Sequence, residues 1–142
     1  MIVNKNGKIF IGQRFDKEKS AWQMPQGGVD RGESELKTLK REMFEETGIK
    51  RNYKIVFKSK KYFSYRLPKY LQKKLWQGKF IGQKQKWFLI KYFGENKDVN
   101  INTKNPEFKK WIWASKEKMI KLIVPFKKKL YKEVINEFKD FL

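Results

Sequence analysis

The sequence predicts an α/β (α+β) domain in which a mixed sheet carries helices on both faces. Three observations predict it. Short alternating or apolar runs recur at residues 1–3, 8–14, 53–60, 62–66, 85–93 and 110–114, as strands do. A capped helical segment interrupts them after Ser34. An amphipathic helix follows them after Pro125. No repeat, linker or low-complexity stretch divides the chain, so residues 1–142 are expected to form a single domain.

The elements follow in order. The first two runs form a hairpin through the turn Asn4-Lys5-Asn6-Gly7. Residues 15–20 read as a charged loop, and 21–24 as a short extended piece leading to Pro25. Residues 26–32 are a glycine-bearing loop. Ser34 caps a helix running to Thr47, where Gly48 supplies the usual stop. Leu36, Leu39 and Met43 recur at spacings that predict one buried stripe on it. Residues 67–79 are helical in pattern but bounded by Pro68 and Gly78, and both readings stand. The unbroken apolar run Trp87–Ile90 predicts a buried strand over 85–93. Residues 94–106 read as a polar loop and 115–122 as a short helix. Pro125 suits the first turn of a final helix with Phe126, Leu130, Val134, Ile135 and Phe138 on one face.

Composition limits the chemistry. Apolar residues make up 39% and aromatics 16%, which suits a packed core and not a disordered tail. No run approaches the roughly 18 apolar residues of a membrane helix, so no membrane partner is expected. The N-terminus alternates and lacks a signal peptide's apolar centre, which predicts a cytoplasmic protein. There is no cysteine and no histidine, which excludes disulfides, thiolate chemistry and imidazole catalysis. The net charge of +20 points to a polyanion such as nucleic acid. A competing source is AT-rich coding bias: Lys outnumbers Arg thirty to five, and Ala occurs only at Ala21 and Ala114.

The acids are not spread evenly. Glu33, Glu35, Glu42, Glu45 and Glu46 crowd one short stretch. Such crowding is repulsive unless a cation sits among the carboxylates. Glu42, Glu45 and Glu46 share one helical face by their spacings of three and four. Two such glutamates are ordinarily just a solvated acidic face. Three converging carboxylates suit a hard divalent ion, and Mg²⁺ in particular.

Residues 27–49, GGVDRGESELKTLKREMFEETGI, resemble the Nudix box. That signature is filled in order by Gly27, Glu33, Arg41, Glu42, Met43, Glu45, Glu46, Gly48 and Ile49, with no fixed position missed. The segment WQMPQGG at 22–28 is similar to the entry of the family's bacterial RNA pyrophosphohydrolase and dinucleoside polyphosphate hydrolase branch. IGQKQKWF at 81–88, Pro106-Glu107-Phe108 with Trp111 and Trp113, and Pro125-Phe126-Lys127 resemble further blocks of that branch.

The resemblance implies a Nudix-type α/β/α sandwich and a set of roles. Glu42, Glu45 and Glu46 would hold Mg²⁺, or Mn²⁺, with more than one ion per site and with the Gly27 carbonyl. Glu33 and Arg41 would form the salt bridge that shapes the loop–helix unit, closed by Gly48. Glu46 or Glu107 would take a proton from the attacking water, with Glu45 beside them. Arg14 and Lys127 would face substrate phosphates, and Val124 and Phe126 would stack a base. From the residues alone, Glu107 is an ordinary loop acid and Arg14 an exposed strand end. Lys127 belongs to a lysine run of the solvated kind, and Phe126 is equally a core residue.

The implied activity is removal of pyrophosphate from the 5′-triphosphate end of RNA. The alternatives are hydrolysis of a dinucleoside polyphosphate such as diadenosine tetraphosphate, and a non-catalytic basic RNA-binding module. DNA is not an expected partner. Members of the branch carry another strand's worth of chain ahead of the equivalent of Ile2-Val3-Asn4, including an arginine for the substrate's 5′ end. The sequence begins at Met1 inside that region, so this arginine is expected to be absent or to lie ahead of Met1.

Overall fold

Alternation along the strands builds two cores, one on each face of a sheet. A computed structural model describes residues 1–15 and 21–142 of the chain, and most of the charged loop expected at 15–20 lies outside them. Ile9 and Ile11 of strand β2 (Ile9–Arg14) point to one core and Phe10 to the other. Val3 and Ile2 of β1 (Ile2–Val3) divide in the same way, as do Leu89 and Ile90 of β7 (Phe88–Tyr92). This is the period-two geometry of a sheet covered on both faces.

The main sheet runs β3 (Trp22–Gln23), β2, β1, β7, β4 (Tyr53–Lys58), with β8 (Phe108–Ala114) paired to β2. Only β1 and β7 among these pairs are parallel, with Ile2 opposite Ile90. Helix α1 (Glu35–Thr47) covers one core through Met43 and Leu39. Helices α3 (Lys116–Leu122) and α4 (Lys128–Phe138) cover the other through Met119, Leu130, Tyr131, Val134 and Phe138. The expected three-layer architecture is therefore present.

Local signals hold at the ends of α1. Ser34 Oγ accepts from the Lys37 N–H at 3.2 Å, and Gly48 adopts φ 72°, with its N–H bonded to the Phe44 carbonyl. The stripe on α1 is corrected. Leu36 is 46% exposed, while Thr38, Met43, Glu46 and Thr47 are buried. The helix turns Glu42 and Glu46 inward, against the loop that precedes it, and leaves Glu45 outward.

Other boundaries shift. The strand expected over 85–93 is β7, which starts at Phe88; Gln85 instead ends a separate strand, β6 (Gly82–Gln85), which pairs with β5 (Phe63–Arg66) outside the main sheet. The ambiguous stretch 67–79 holds a four-residue turn of helix, α2 (Lys69–Gln72), and a 3₁₀ turn at Trp76–Gly78. Pro125 opens a 3₁₀ turn, Pro125–Lys127, and α4 begins after it. Among the described residues, no helix is long and apolar enough to cross a membrane.

Candidate active site

The loop Gln26–Gly28 lies across the inward face of α1. Glu46 is 2% exposed there. Its Oε2 accepts from the Gln26 backbone N–H at 2.9 Å, and its Oε1 has no hydrogen-bond partner. Burial pushes the Glu46 carboxyl well above the usual carboxylate range, and contacts with Glu107 and the charge of Glu42 push in the same direction. Burial also raises Glu42, against the pull of Arg41. Three carboxyls from two distant segments, Glu42, Glu46 and Glu107, therefore share one electrostatic environment. Glu107 is delivered by the loop leading into β8 and is itself exposed.

Gly27 is the tightest point of the loop. A methyl group there would collide with the Glu42 carboxyl and push it from its place, so glycine keeps the loop and this carboxyl in close approach.

Arg41 organises the unit from outside. Its Nε and Nη2 clasp both Glu33 oxygens, at 2.9 and 2.8 Å. Its Nη1 reaches Glu42 at 2.7 Å and Glu45 at 3.1 Å, and its Nη2 also donates to the Gly28 carbonyl at 2.8 Å. Thr38 Oγ1 adds a 2.6 Å bond to Glu33. The Arg41 guanidinium and the Thr38 hydroxyl hold Glu33 down at about 2. Glu45 is turned outward, its side chain 55% exposed. With Arg41 drawing on Glu42 and Glu45, no group of three acids among the described residues converges as a closed metal cage. The orphaned Glu46 oxygen, the oxygen-only donor set and the glycine beside Glu42 fit a hard divalent cation entering from the Glu42–Glu107 side.

Sequence reasoning gave no role to a cluster of glutamines. Gln26 Nε2 donates to Gln83 Oε1 at 3.0 Å. That oxygen also accepts from Tyr65 Oη at 2.8 Å and from Gln85 Nε2 at 3.0 Å. Lys127 is buried, and its ammonium donates to Gln23 and Gln26, both at 2.9 Å. So Lys127 leaves the solvated run, while Lys129 stays exposed. Phe126 packs beside Tyr65 with ring centroids 5.7 Å apart, and Val124 is buried next to it. Arg14 ends β2, half-buried. The signal for the glutamines was present in the PQGG and IGQKQ blocks, but neutral amides carry no charge pattern to flag them.

A cavity of about 410 Å³ runs along the same side of α1. Gly27, Glu42, Leu39 and Met43 wall one side, and Gln83 to Phe88 with Tyr62 wall the other. Met1 and Ile2 also line it.

The fold and this site define a hydrolase built on carboxylates. The chain belongs to the NUDIX family, whose NUDIX domain model matches residues 1–134, and it is a Nudix hydrolase. Enzymes of this family generally use divalent metal ions. Over its full length the chain is 51% identical to an RNA pyrophosphohydrolase of Rickettsia conorii, covering 88% of that protein. It is also 51% identical to an RNA pyrophosphohydrolase of Rickettsia bellii, with the same coverage. Among solved structures, a C. elegans Ap4A hydrolase aligns with TM-score 0.68 at 21% identity, covering 99% of this chain and 96% of that one. The E. coli dihydroneopterin triphosphate pyrophosphohydrolase aligns with TM-score 0.70 at 18% identity, covering 95% and 91%. These two likenesses concern the fold.

Proposed function

We propose that the chain hydrolyses the 5′-triphosphate end of RNA, releasing pyrophosphate and leaving a 5′-monophosphate. This places it in the cytoplasm at the start of mRNA decay. The observation that carries the reading is the buried Glu46 carboxyl, with one oxygen pinned by Gln26 and the other unpartnered, facing Glu42 and Glu107. Relatives half identical over the whole chain carry the RNA pyrophosphohydrolase name, which supports RNA as the substrate.

Glu42, Glu46 and the Gly27 carbonyl, joined by Glu45 once it swings from Arg41, would hold Mg²⁺ or Mn²⁺, with more than one ion in the site. When bound, these ions supply neutralisation of phosphate charge and acidification of water. The chain's own groups do the rest. The loop–helix unit fixes the carboxylates through the Arg41–Glu33 clasp. Glu46 or Glu107 accepts the proton of the attacking water. Arg14 and Lys127 would face the phosphates, and Phe126, half-buried beside Tyr65 with Val124 beneath the surface, would meet a base.

The test is incubation of the purified protein with magnesium and 5′-triphosphate RNA, with and without diadenosine tetraphosphate as competitor. The expected result is pyrophosphate release at a rate the dinucleotide barely lowers. Preferential cleavage of the dinucleotide would replace this substrate with the other. RNA binding without turnover of either would leave only a binding module.

A further inference from the structure

The positive charge of this chain is not uniform. From Thr47 to Gly94 there are fourteen Lys and Arg residues and no Asp or Glu. Coding bias accounts for abundant lysine. It does not account for 48 consecutive residues without a carboxylate in a chain that has 15 of them.

This acid-free stretch includes the β5–β6 hairpin. The register, with Ser64 opposite Lys84 and Tyr65 opposite Gln83, gives the hairpin two different faces. Phe63, Tyr65, Gln83 and Gln85 face the core and the glutamine cluster. Ser64, Arg66 and Lys84 face away. At the open end of that second face stands Tyr62, 50% exposed, with the ammonium groups of Lys84 and Lys86 each 4.7 Å from its ring centre. Lys60 and Lys61 are exposed beside it. Two acids reach this group from outside: Glu35 accepts from Tyr62 Oη at 2.9 Å and is paired with Lys58, and Glu137 accepts from the Lys60 backbone N–H at 3.0 Å. Tyr62, Lys84 and Lys86 also line the cavity whose far wall holds Gly27 and Glu42.

We infer that this face is a track for single-stranded RNA downstream of the 5′ end. A chain whose terminal phosphates sit at the carboxylates can run along the cavity and meet a half-exposed aromatic ring flanked by cations. Base-on-aromatic stacking beside a basic groove is the sequence-tolerant mode of single-strand binding. A dinucleoside polyphosphate has no phosphodiester chain beyond its second nucleoside for the lysines to hold, so the track favours RNA. The inference deepens the proposed activity and rests on that reading for its biological use, though binding can be measured apart from it.

The experiment follows a labelled ten-nucleotide RNA with a 5′-hydroxyl end by fluorescence anisotropy. It compares the wild type with Tyr62→Ala, with Lys84→Gln/Lys86→Gln, and with Lys116→Gln/Lys118→Gln on α3 as a charge-matched control. Tyr62→Ala should weaken binding about tenfold, at the lower end of what one stacked base contributes. Lys84→Gln/Lys86→Gln should lower the slope of log affinity on log salt by about 1.4, for two phosphate contacts on a single strand. The control should stay within about twofold of the wild type. If both track variants bind like the control, the track does not exist. Turnover of a 5′-triphosphorylated dinucleotide by the same proteins tests the proposed activity separately, because it reads pyrophosphate release and not the binding of a longer chain. Its failure in the wild type removes the activity and leaves the anisotropy result to decide the track.

Discussion

Replacing Glu46 by Gln isolates the physical state of the buried carboxyl. The glutamate is 2% exposed, with one oxygen bonded to the Gln26 N–H and the other without a donor, against the Glu107 carboxyl. Glutamine keeps an acceptor for Gln26, removes the buried charge, and turns an amide N–H₂ toward the neighbouring acids. A buried polar group left unsatisfied costs about 1–3 kcal/mol, and more when charged. Without divalent ions at pH 8, Glu46→Gln should therefore be more stable than the wild type by about 1–3 kcal/mol. For a domain of this size that is roughly 3–10 °C in Tm. The pH dependence has a definite sign. The folded Glu46 binds its proton more tightly than the unfolded one, so its contribution is most favourable below the unfolded value of about 4.3 and is lost as pH rises. The gap between variant and wild type should shrink toward zero near pH 4. Excess magnesium should reverse the order, because an ion at 100 times its Kd adds about 2.7 kcal/mol to a protein that binds it. Thermal melts in chelator and in magnesium, at both pH values, read all of this. A variant less stable than the wild type at pH 8 in chelator would refute the reasoning, as would a gap that ignores pH.

Three further outcomes follow from the same geometry. Gly27→Ala drives a methyl group into the Glu42 carboxyl, so steady-state kinetics should show kcat reduced at least tenfold, while the melt changes by only about 1 kcal/mol because a side-chain end can move aside. Arg41→Lys cannot reproduce a fork that bonds Glu33, Glu42, Glu45 and the Gly28 carbonyl together, and should cost about 1–3 kcal/mol in denaturant titration with a parallel loss of activity. The Glu33 clasp contributes stability above its unfolded value of about 4.3 and loses it as pH falls toward about 2, so Glu33→Gln should flatten the acid limb of the wild-type unfolding curve in that window.

The strands, the helix caps and the carboxylate face of α1 were legible because each depends on local spacing. Ser34 and Gly48 act within one turn of chain, and alternation in Ile9–Ile11 needs only the two sides of a sheet. What was not legible depends on partners far away in sequence. Leu36 has the right spacing for the core, but Gln26 holds Glu46 inward and Glu33 holds Thr38, which leaves Leu36 in water. Strand β6 was missed ahead of β7, and its Gln83 and Gln85 meet Gln26 across more than fifty residues. Lys127 is buried for the same reason: its partners, Gln23 and Gln26, lie about a hundred residues earlier.

The account stands on Glu46, placed by Gln26 beside Glu42 and Glu107, as part of a machine that splits a phosphoanhydride. Single-turnover cleavage of 5′-triphosphate RNA in saturating magnesium, by the wild type and by folded Glu46→Gln, measures this most directly. The account predicts loss of at least about two orders of magnitude in rate, the scale of one positioned acid–base group. A variant that releases pyrophosphate as fast as the wild type would contradict it.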